Sequence, residues 1–109
     1  MAKGDHIYVS FWIDGNPLTH HGIDSGNDTV IHYDGKKICR VSKTEFAKGK
    51  TIYTKEYGNC DPPDVVLQRA KYNLYEEKYK LILNNCEHFA SYCKTGKHKS
   101  EQVNRVAVC

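Results

Sequence analysis

The sequence predicts an α+β domain in which an antiparallel β-sheet from the first half of the chain packs against helices from the second half. Two observations lead to this class. Short β-branched and aromatic runs separated by turn formers fill residues 6–54, whereas apolar residues recur at helical spacing from residue 61 onward. A length of 109 residues without a linker, repeat or low-complexity tract indicates one domain over residues 1–109.

The β half is expected to start with a strand over residues 6–13 and to continue as a hairpin. Two shorter apolar runs, 17–24 and 29–33, flank a stretch of turn formers, which is typical of two strands joined by a tight loop. Residues 36–42 alternate loosely in polarity, and residues 51–54 form another short run of strand formers. The first half of the chain is therefore predicted to be β-structure.

The helical half begins at the adjacent prolines Pro62 and Pro63, which a first helical turn tolerates because its N–H groups lack partners within the helix. Val66, Ala70 and Leu74 follow at helical spacing. These positions predict one helix.

A second helix is predicted after the short apolar run 81–83, because Asn84 and Asn85 are good N-cap residues. Gly96 is a plausible end for this helix. An apolar stripe at positions i, i+3, i+4 and i+7 is formed by Cys86, Phe89, Ala90 and Cys93.

Cys86 is expected in the first turn of that helix, where it faces unpaired N–H groups and the positive end of the helix dipole. Both favour the thiolate and can lower a thiol pKa from about 8.5 into the range of roughly 3.5 to 7.5. The same N–H groups can bind a developing oxyanion. The alternative is that Cys86 is a small core residue. His88 points about 200° away from Cys86 on a helix and is expected to be exposed.

A nucleophilic thiol needs a base, and three of the six histidines lie on the predicted hairpin. Because side chains alternate along a strand, either His20 or His21 shares a face with His32. A loop centred on Gly26 brings His20 opposite His32, whereas a two-residue loop at 26–27 brings His21 there. In both registers two histidines share a face. A cysteine in the first turn of a helix, placed next to them, would complete a set of nucleophile, base and orienting group.

Charge and composition argue against several classes of protein. Sixteen basic and thirteen acidic residues give a net charge of +3, short of the basic surface of a nucleic-acid binder. The apolar run 7–13 is too short to span a bilayer, and no charged and apolar leader precedes it. We therefore expect a cytoplasmic protein without a transmembrane segment or nucleic-acid partner. The basic residues at 94 and 97–99 are more typical of a solvated helix end than of a contact with lipid headgroups.

The cysteine pattern predicts free thiols rather than a disulfide framework or a zinc site. Five cysteines are an odd number, and a reducing compartment keeps them as thiols. The spacing of Cys86 and Cys93 is not the C-x2-C of structural zinc, and no second pair of cysteines exists. We expect neither a metal nor an organic cofactor. We expect no chemical role for Cys39, Cys60 and Cys109, which are most simply explained as packed or terminal thiols.

Residues 85–96, which begin Asn-Cys-Glu-His-Phe, resemble the signature of the lecithin:retinol acyltransferase-like family. This family is a branch of the NlpC-type, circularly permuted papain-like thiol enzymes. Residues 4–8, 18–23 and 30–32 match the family's first strand and hairpin in order and spacing. The resemblance covers residues 4–103 and is nearest to the small plant and bacterial members.

The resemblance implies a permuted papain-like fold and a role for three residues. Cys86 would be the nucleophile, His20 the general base and His32 the polar residue that orients the base, with the family's spacing of twelve favouring His20 over His21. His21 replaces the family's usual bulky aromatic residue. The implied reaction is acyl transfer or hydrolysis through an acyl-enzyme thioester, with a phospholipid or related lipid as the expected substrate.

Two other functions stay open at this point. An NlpC-type cysteine peptidase or amidase would use the same triad on amide bonds, and a binding or regulatory module would keep the fold without turnover. An apolar slot near Cys86 favours a lipid enzyme, whereas a polar, open cleft favours a peptidase. Family members that act on membrane lipids often carry a C-terminal membrane anchor, and we expect none here.

Overall fold

The computed structural model describes residues 2–74 and 86–96. The described part of the chain has an α+β architecture, as the sequence predicts, with an antiparallel sheet and helices packed on it. Its strands are β1 (His6–Ile13), β2 (Asn16–Gly26), β3 (Thr29–Tyr33), β4 (Ile38–Ser42) and β5 (Tyr53–Thr54), and its helices are α1 (Lys43–Ala47), α2 (Pro63–Tyr72) and α3 (Cys86–Thr95).

These five strands form one sheet in the order β4-β3-β2-β1-β5, so β2 lies at its centre. The first hairpin turns through Asp14 and Gly15, whose φ angles of 52° and 79° are those of the tight turns that match strand twist. The predicted bounds of β1 are confirmed.

The second hairpin turns at a position that the sequence analysis did not predict. Asn27 and Asp28, both with positive φ, form a two-residue loop, because these side chains tolerate the left-handed conformation. The register shifts between Asp24 and Gly26, which leaves Ser25 in a β-bulge. The bulge places Gly22 beside His32, so His20 lies diagonally from His32 on the same face rather than directly opposite.

The sheet has a core on each face. On one face α2 and α3 pack against the central strands, with Phe89 and Ala90 in one cluster with Ile23 and Ile31. On the other face, Phe46 of α1 joins a smaller cluster of buried residues, Ile7, Val9 and Val30.

The short helix α1 is absent from the sequence prediction. Its N-cap is Ser42, whose Oγ accepts a hydrogen bond from the Glu45 backbone N–H at 3.0 Å. Serine followed three residues later by glutamate is a helix-start signal. Five residues are too few to show helical periodicity, so only this signal indicated the helix.

The start of α2 and the end of α3 match the sequence patterns, but α2 ends at Tyr72, before Leu74, which the predicted helix includes. Pro63 opens α2, and Gly96, with a φ of 74°, follows α3 and donates its N–H to the Tyr92 carbonyl. The run 81–83 and the predicted N-cap pair 84–85 lie outside the described residues. No helix within residues 2–74 and 86–96 has the length and apolar character needed to cross a membrane.

Candidate active site

His20 of β2 and His32 of β3 meet on the face of the sheet that α1 covers. His20 Nε2 and His32 Nδ1 are 2.7 Å apart and share a hydrogen bond. The two rings are perpendicular, with centroids 4.8 Å apart, and Phe46 packs against both of them. The hydrogen bond and the aromatic contact hold the predicted base and orienting residue together.

A glycine on β2 makes this close packing possible. A Cβ atom at Gly22 would lie 2.6 Å from Val30 Cγ1, 3.1 Å from Phe46 and 3.2 Å from the His32 Cβ. A side chain at this position would push Phe46 and His32 away from the sheet.

Burial keeps both members of the histidine pair neutral. It lowers the pKa of His20, with a further lowering by the positive charge of Lys48. Burial, followed by the charge of His20, lowers the pKa of His32 to about 4. His20 Nδ1 makes no hydrogen bond to any residue that the structure describes. It can therefore accept a proton in the tautomer whose Nε2–H donates to His32 Nδ1.

A cavity of about 480 Å³ opens beside the pair. Apolar side chains line it together with two lysines and two carboxylates. Besides the two histidines, the lining residues are Val9, Phe11, Val41, Phe46, Ala47, Cys39, Asp34, Glu45, Lys48 and Lys50. The apolar part of this cavity is of the kind expected for a lipid enzyme, but the cavity lies beside His20 and His32 rather than beside Cys86.

Cys86, the predicted nucleophile, is the first residue of α3 and is fully buried. Phe89 of the same helix packs with Ile23 and Ile31, which lie on the face of the sheet opposite to the histidine pair. The structure therefore brings His20 and His32 together but packs the helix of Cys86 on the other side.

The free-thiol prediction is wrong for Cys86, which is disulfide-bonded in the structure. Spacing in a sequence does not reveal which cysteines pair. The prediction is confirmed for Cys39, Cys60 and Cys93, which are free thiols.

Cys39 is the cysteine that the fold brings to the histidine pair, and the sequence analysis gave it no role there. It pairs with His32 across β3 and β4 and lines the cavity. Its thiol donates to Asp34 Oδ2 at 3.6 Å, and burial, with the charge of Asp34, raises its pKa to about 11. A thiol that stays protonated is a poor nucleophile.

His21 faces the α3 side of the sheet, where a second buried histidine joins it. His21 Nδ1 lies 2.7 Å from His6 Nε2, and His6 Nδ1 lies 2.8 Å from the Tyr57 hydroxyl. His21 Nε2 lies 2.9 Å from Thr19 Oγ1. Because both ring nitrogens of His21 already have hydrogen-bond partners, neither is available as a base.

Burial also keeps this second pair neutral. It lowers the pKa of His21 to about 4, partly opposed by the negative charge of Glu87, and lowers the pKa of His6 to about 2. His88 is buried, which corrects the prediction that it is exposed; most of α3 is covered, not just one stripe. No three metal-ligating side chains gather within the described ranges.

A sequence model of the family described as lecithin retinol acyltransferase matches residues 1–99. The chain belongs to this family. Phospholipase A and acyltransferase 1 from Rattus norvegicus is 42% identical over 99 aligned residues, which cover 85% of this chain and 56% of the relative. Protein LEAD-SENSITIVE 1 from Arabidopsis thaliana is 28% identical over an alignment 151 positions long, gaps included, which covers 87% of this chain and 58% of the relative. The chain thus spans a little over half the length of these curated relatives, and the predicted family resemblance is confirmed.

Proposed function

We propose that this domain is a thiol-dependent acyltransferase or hydrolase that acts on a lipid ester or amide through an acyl-enzyme thioester. The observation that carries the proposal is the His20–His32 pair, neutral, hydrogen-bonded and open to an apolar cavity. Membership of the lecithin retinol acyltransferase family supports acyl chemistry. So does the similarity to a phospholipase A and acyltransferase from rat.

In the proposed reaction the reduced Cys86 thiol is the nucleophile. His20 accepts the thiol proton on Nδ1, while its Nε2–H donates to His32 Nδ1 and keeps the ring oriented. The thiolate attacks the carbonyl carbon, and helix N–H groups stabilise the oxyanion. The ester or amide bond then breaks, and the leaving group takes the proton from His20. Water or an acceptor alcohol or amine then attacks the thioester carbonyl while His20 accepts its proton, and the Cys86 thiolate leaves and takes this proton back from His20.

This mechanism includes the permuted papain-like arrangement of the family, with the start of the cysteine helix next to His20. It requires that Cys86 is reduced. It also requires that the first turn of α3 leaves its contacts with Ile23 and Ile31. The identity of the acylated cysteine is therefore the deciding measurement.

The cavity also supports the choice of a lipid substrate. Val9, Phe11 and Val41 provide an apolar surface for an acyl chain, and Lys48 and Lys50 provide positive charge for a phosphate headgroup. A phospholipid has both features. We further propose that the domain works in the reducing cytoplasm, in transient contact with membrane surfaces.

The test is mass spectrometry of the reduced protein after exposure to a short-chain phosphatidylcholine, followed by peptide mapping. We expect an acyl adduct on Cys86 in the wild type. It should persist in Cys39→Ser and vanish in Cys86→Ser. An adduct that vanishes only in Cys39→Ser would contradict the assignment of the nucleophile. An adduct formed with an activated peptide ester but not with lipid would favour a peptidase or amidase.

A second candidate function is a binding module without turnover. The packing of α3 on the face opposite to His20 and the disulfide at Cys86 favour it. On this alternative, neither acyl donor gives an adduct, and Cys86 in the reduced protein alkylates at the rate of an ordinary thiol.

A further inference from the structure

The tip of the β1–β2 hairpin, residues 11–18, exposes large apolar side chains to solvent. Trp12 is 68% exposed and Ile13 is 51% exposed, next to the turn at Asp14 and Gly15. Trp12 pairs with Pro17 and Ile13 with Asn16. Because neighbouring strand residues point to opposite faces, Trp12 and Ile13 present apolar surface on both sides of the tip.

The same hairpin leads from this exposed tip to the cavity. Phe11 pairs with Leu18, and Val9 pairs with His20, so these four side chains share one face. Phe11 and Val9 both line the cavity beside His20. Apolar side chains thus continue from the hairpin tip to the candidate active site, and a lipid chain that reached the tip would be next to the cavity.

Two lysines and two carboxylates line the cavity, and with the neighbouring turns lysines outnumber carboxylates by four to three. Asp34 and Glu45 are its carboxylates, and Asp34 Oδ1 already accepts two backbone N–H groups in the β3–β4 turn. Asp14 adds one negative charge at the hairpin turn. Four lysines balance these negative charges. Lys48 and Lys50 line the cavity, and Lys36 and Lys37 lie in the β3–β4 turn. Such lysines are attracted to a surface of anionic lipids.

We propose that the hairpin tip inserts into the surface of a bilayer that contains anionic lipid, with the cavity facing the bilayer. Tryptophan favours the boundary between headgroups and acyl chains, and Ile13 adds apolar area beside it. The carboxylate of Asp14 keeps the insertion at headgroup depth. The inference rests on the proposed function, because it places the substrate's membrane at the cavity of His20 and His32.

Trp12 is the single tryptophan of the chain, so its fluorescence reports on the tip directly. We expect its emission to shift to shorter wavelength with vesicles of phosphatidylcholine and phosphatidylglycerol, and less with phosphatidylcholine vesicles. Added salt should reverse part of the shift. Unchanged emission, with the protein left in the supernatant after vesicle sedimentation, would overturn the proposal. So would a shift that depends on protein concentration in the absence of lipid, which assigns the tip to contacts between copies.

Sedimentation of two variants identifies the surface. Ile13→Ser should weaken binding to the mixed vesicles by about fivefold or more, since it removes apolar area from the tip. Tyr72→Ser is the matched control, because Tyr72 is 88% exposed but lies on α2. Equal binding by Ile13→Ser and the wild type would refute the role of the tip.

An acylation assay separates this inference from the proposed function. The rate with lipid in vesicles, divided by the rate with a water-soluble ester, should fall in Ile13→Ser and not in Tyr72→Ser. If the wild type binds vesicles but neither donor acylates it, the proposed function fails while membrane docking stands. If the soluble ester acylates the wild type but no vesicles bind, docking fails while the proposed function stands.

Discussion

Acid is expected to unfold this domain at a pH where most carboxylates are still ionised. His6, His21 and His32 are buried, and burial lowers their pKa values from 6.5 to about 2, 4 and 4. In the unfolded chain the same groups titrate near 6.5. Below that pH the unfolded state binds protons that the folded state does not, so the free energy of unfolding falls as pH falls.

The magnitude follows from the pKa values. Each pH unit below 6.5 lowers the free energy of unfolding by about 1.4 kcal/mol per histidine, until the pH reaches the pKa of that histidine in the folded state. At about pH 5 each of the three histidines therefore lowers the free energy of unfolding by roughly 2 kcal/mol, and the three together lower it by roughly 6 kcal/mol. This loss is comparable with the whole stability of a small domain, about 5 to 15 kcal/mol.

Urea unfolding followed by far-ultraviolet circular dichroism measures this effect. The midpoint should be constant above about pH 7.5 and fall steeply between about pH 6.5 and 5, a window above the ordinary pKa values of Asp and Glu. His21→Gln is the test variant, and it should reduce the slope by about one proton, or about 1.4 kcal/mol per pH unit. Equal midpoints at both ends of the window would refute the argument that buried, neutral histidines control acid stability.

Three further substitutions, with Gly58→Ala as a control, test the geometry around the histidine pair. His20→Ala should slow acyl-adduct formation by roughly 10²- to 10⁴-fold in mass-spectrometric time courses. His21→Ala should mainly lower stability, by about 1 to 3 kcal/mol, because His6 loses its hydrogen-bond partner; equal loss of rate in both variants would contradict the assignment. Gly22→Ala should lower the free energy of unfolding, measured in urea, by about 1 to 3 kcal/mol because the new methyl group meets Val30. Gly58→Ala, with open space around it, should be nearly neutral.

The features that the sequence predicted well depend on residues close together in the chain. The bounds of β1 follow from an uninterrupted run of strand formers, and the end of α3 follows from Gly96, whose positive φ suits glycine. That His20 and His32 share a face was also predictable in part. Alternation along the strands puts either His20 or His21 on the face of His32, and the family's histidine spacing favours His20.

The features that were missed depend on a single residue or on distant parts of the chain. The bulge at Ser25 moves the loop to 27–28 and makes the His20–His32 contact diagonal. The face on which α3 packs depends on contacts between Phe89 and two strands more than fifty residues earlier, which local periodicity does not contain. The position of Cys39 beside His32 needs the register of β3 and β4.

The adjacent residues His20 and His21 show how the fold separates a base from a structural histidine. His21 uses both ring nitrogens in hydrogen bonds, whereas His20 uses one, and its Nδ1 has no hydrogen-bond partner among the described residues. Of these two neighbouring histidines, His20 is therefore the one that can take a proton from a nucleophile.

Cys39 is already beside the pair, but at a pKa of about 11 only roughly one molecule in ten thousand carries its thiolate at neutral pH. Cys86, once reduced, has the helix N-terminus that favours the thiolate. Acylation of Cys86 is therefore expected to exceed that of Cys39, even though Cys39 lies nearer to the base in the structure.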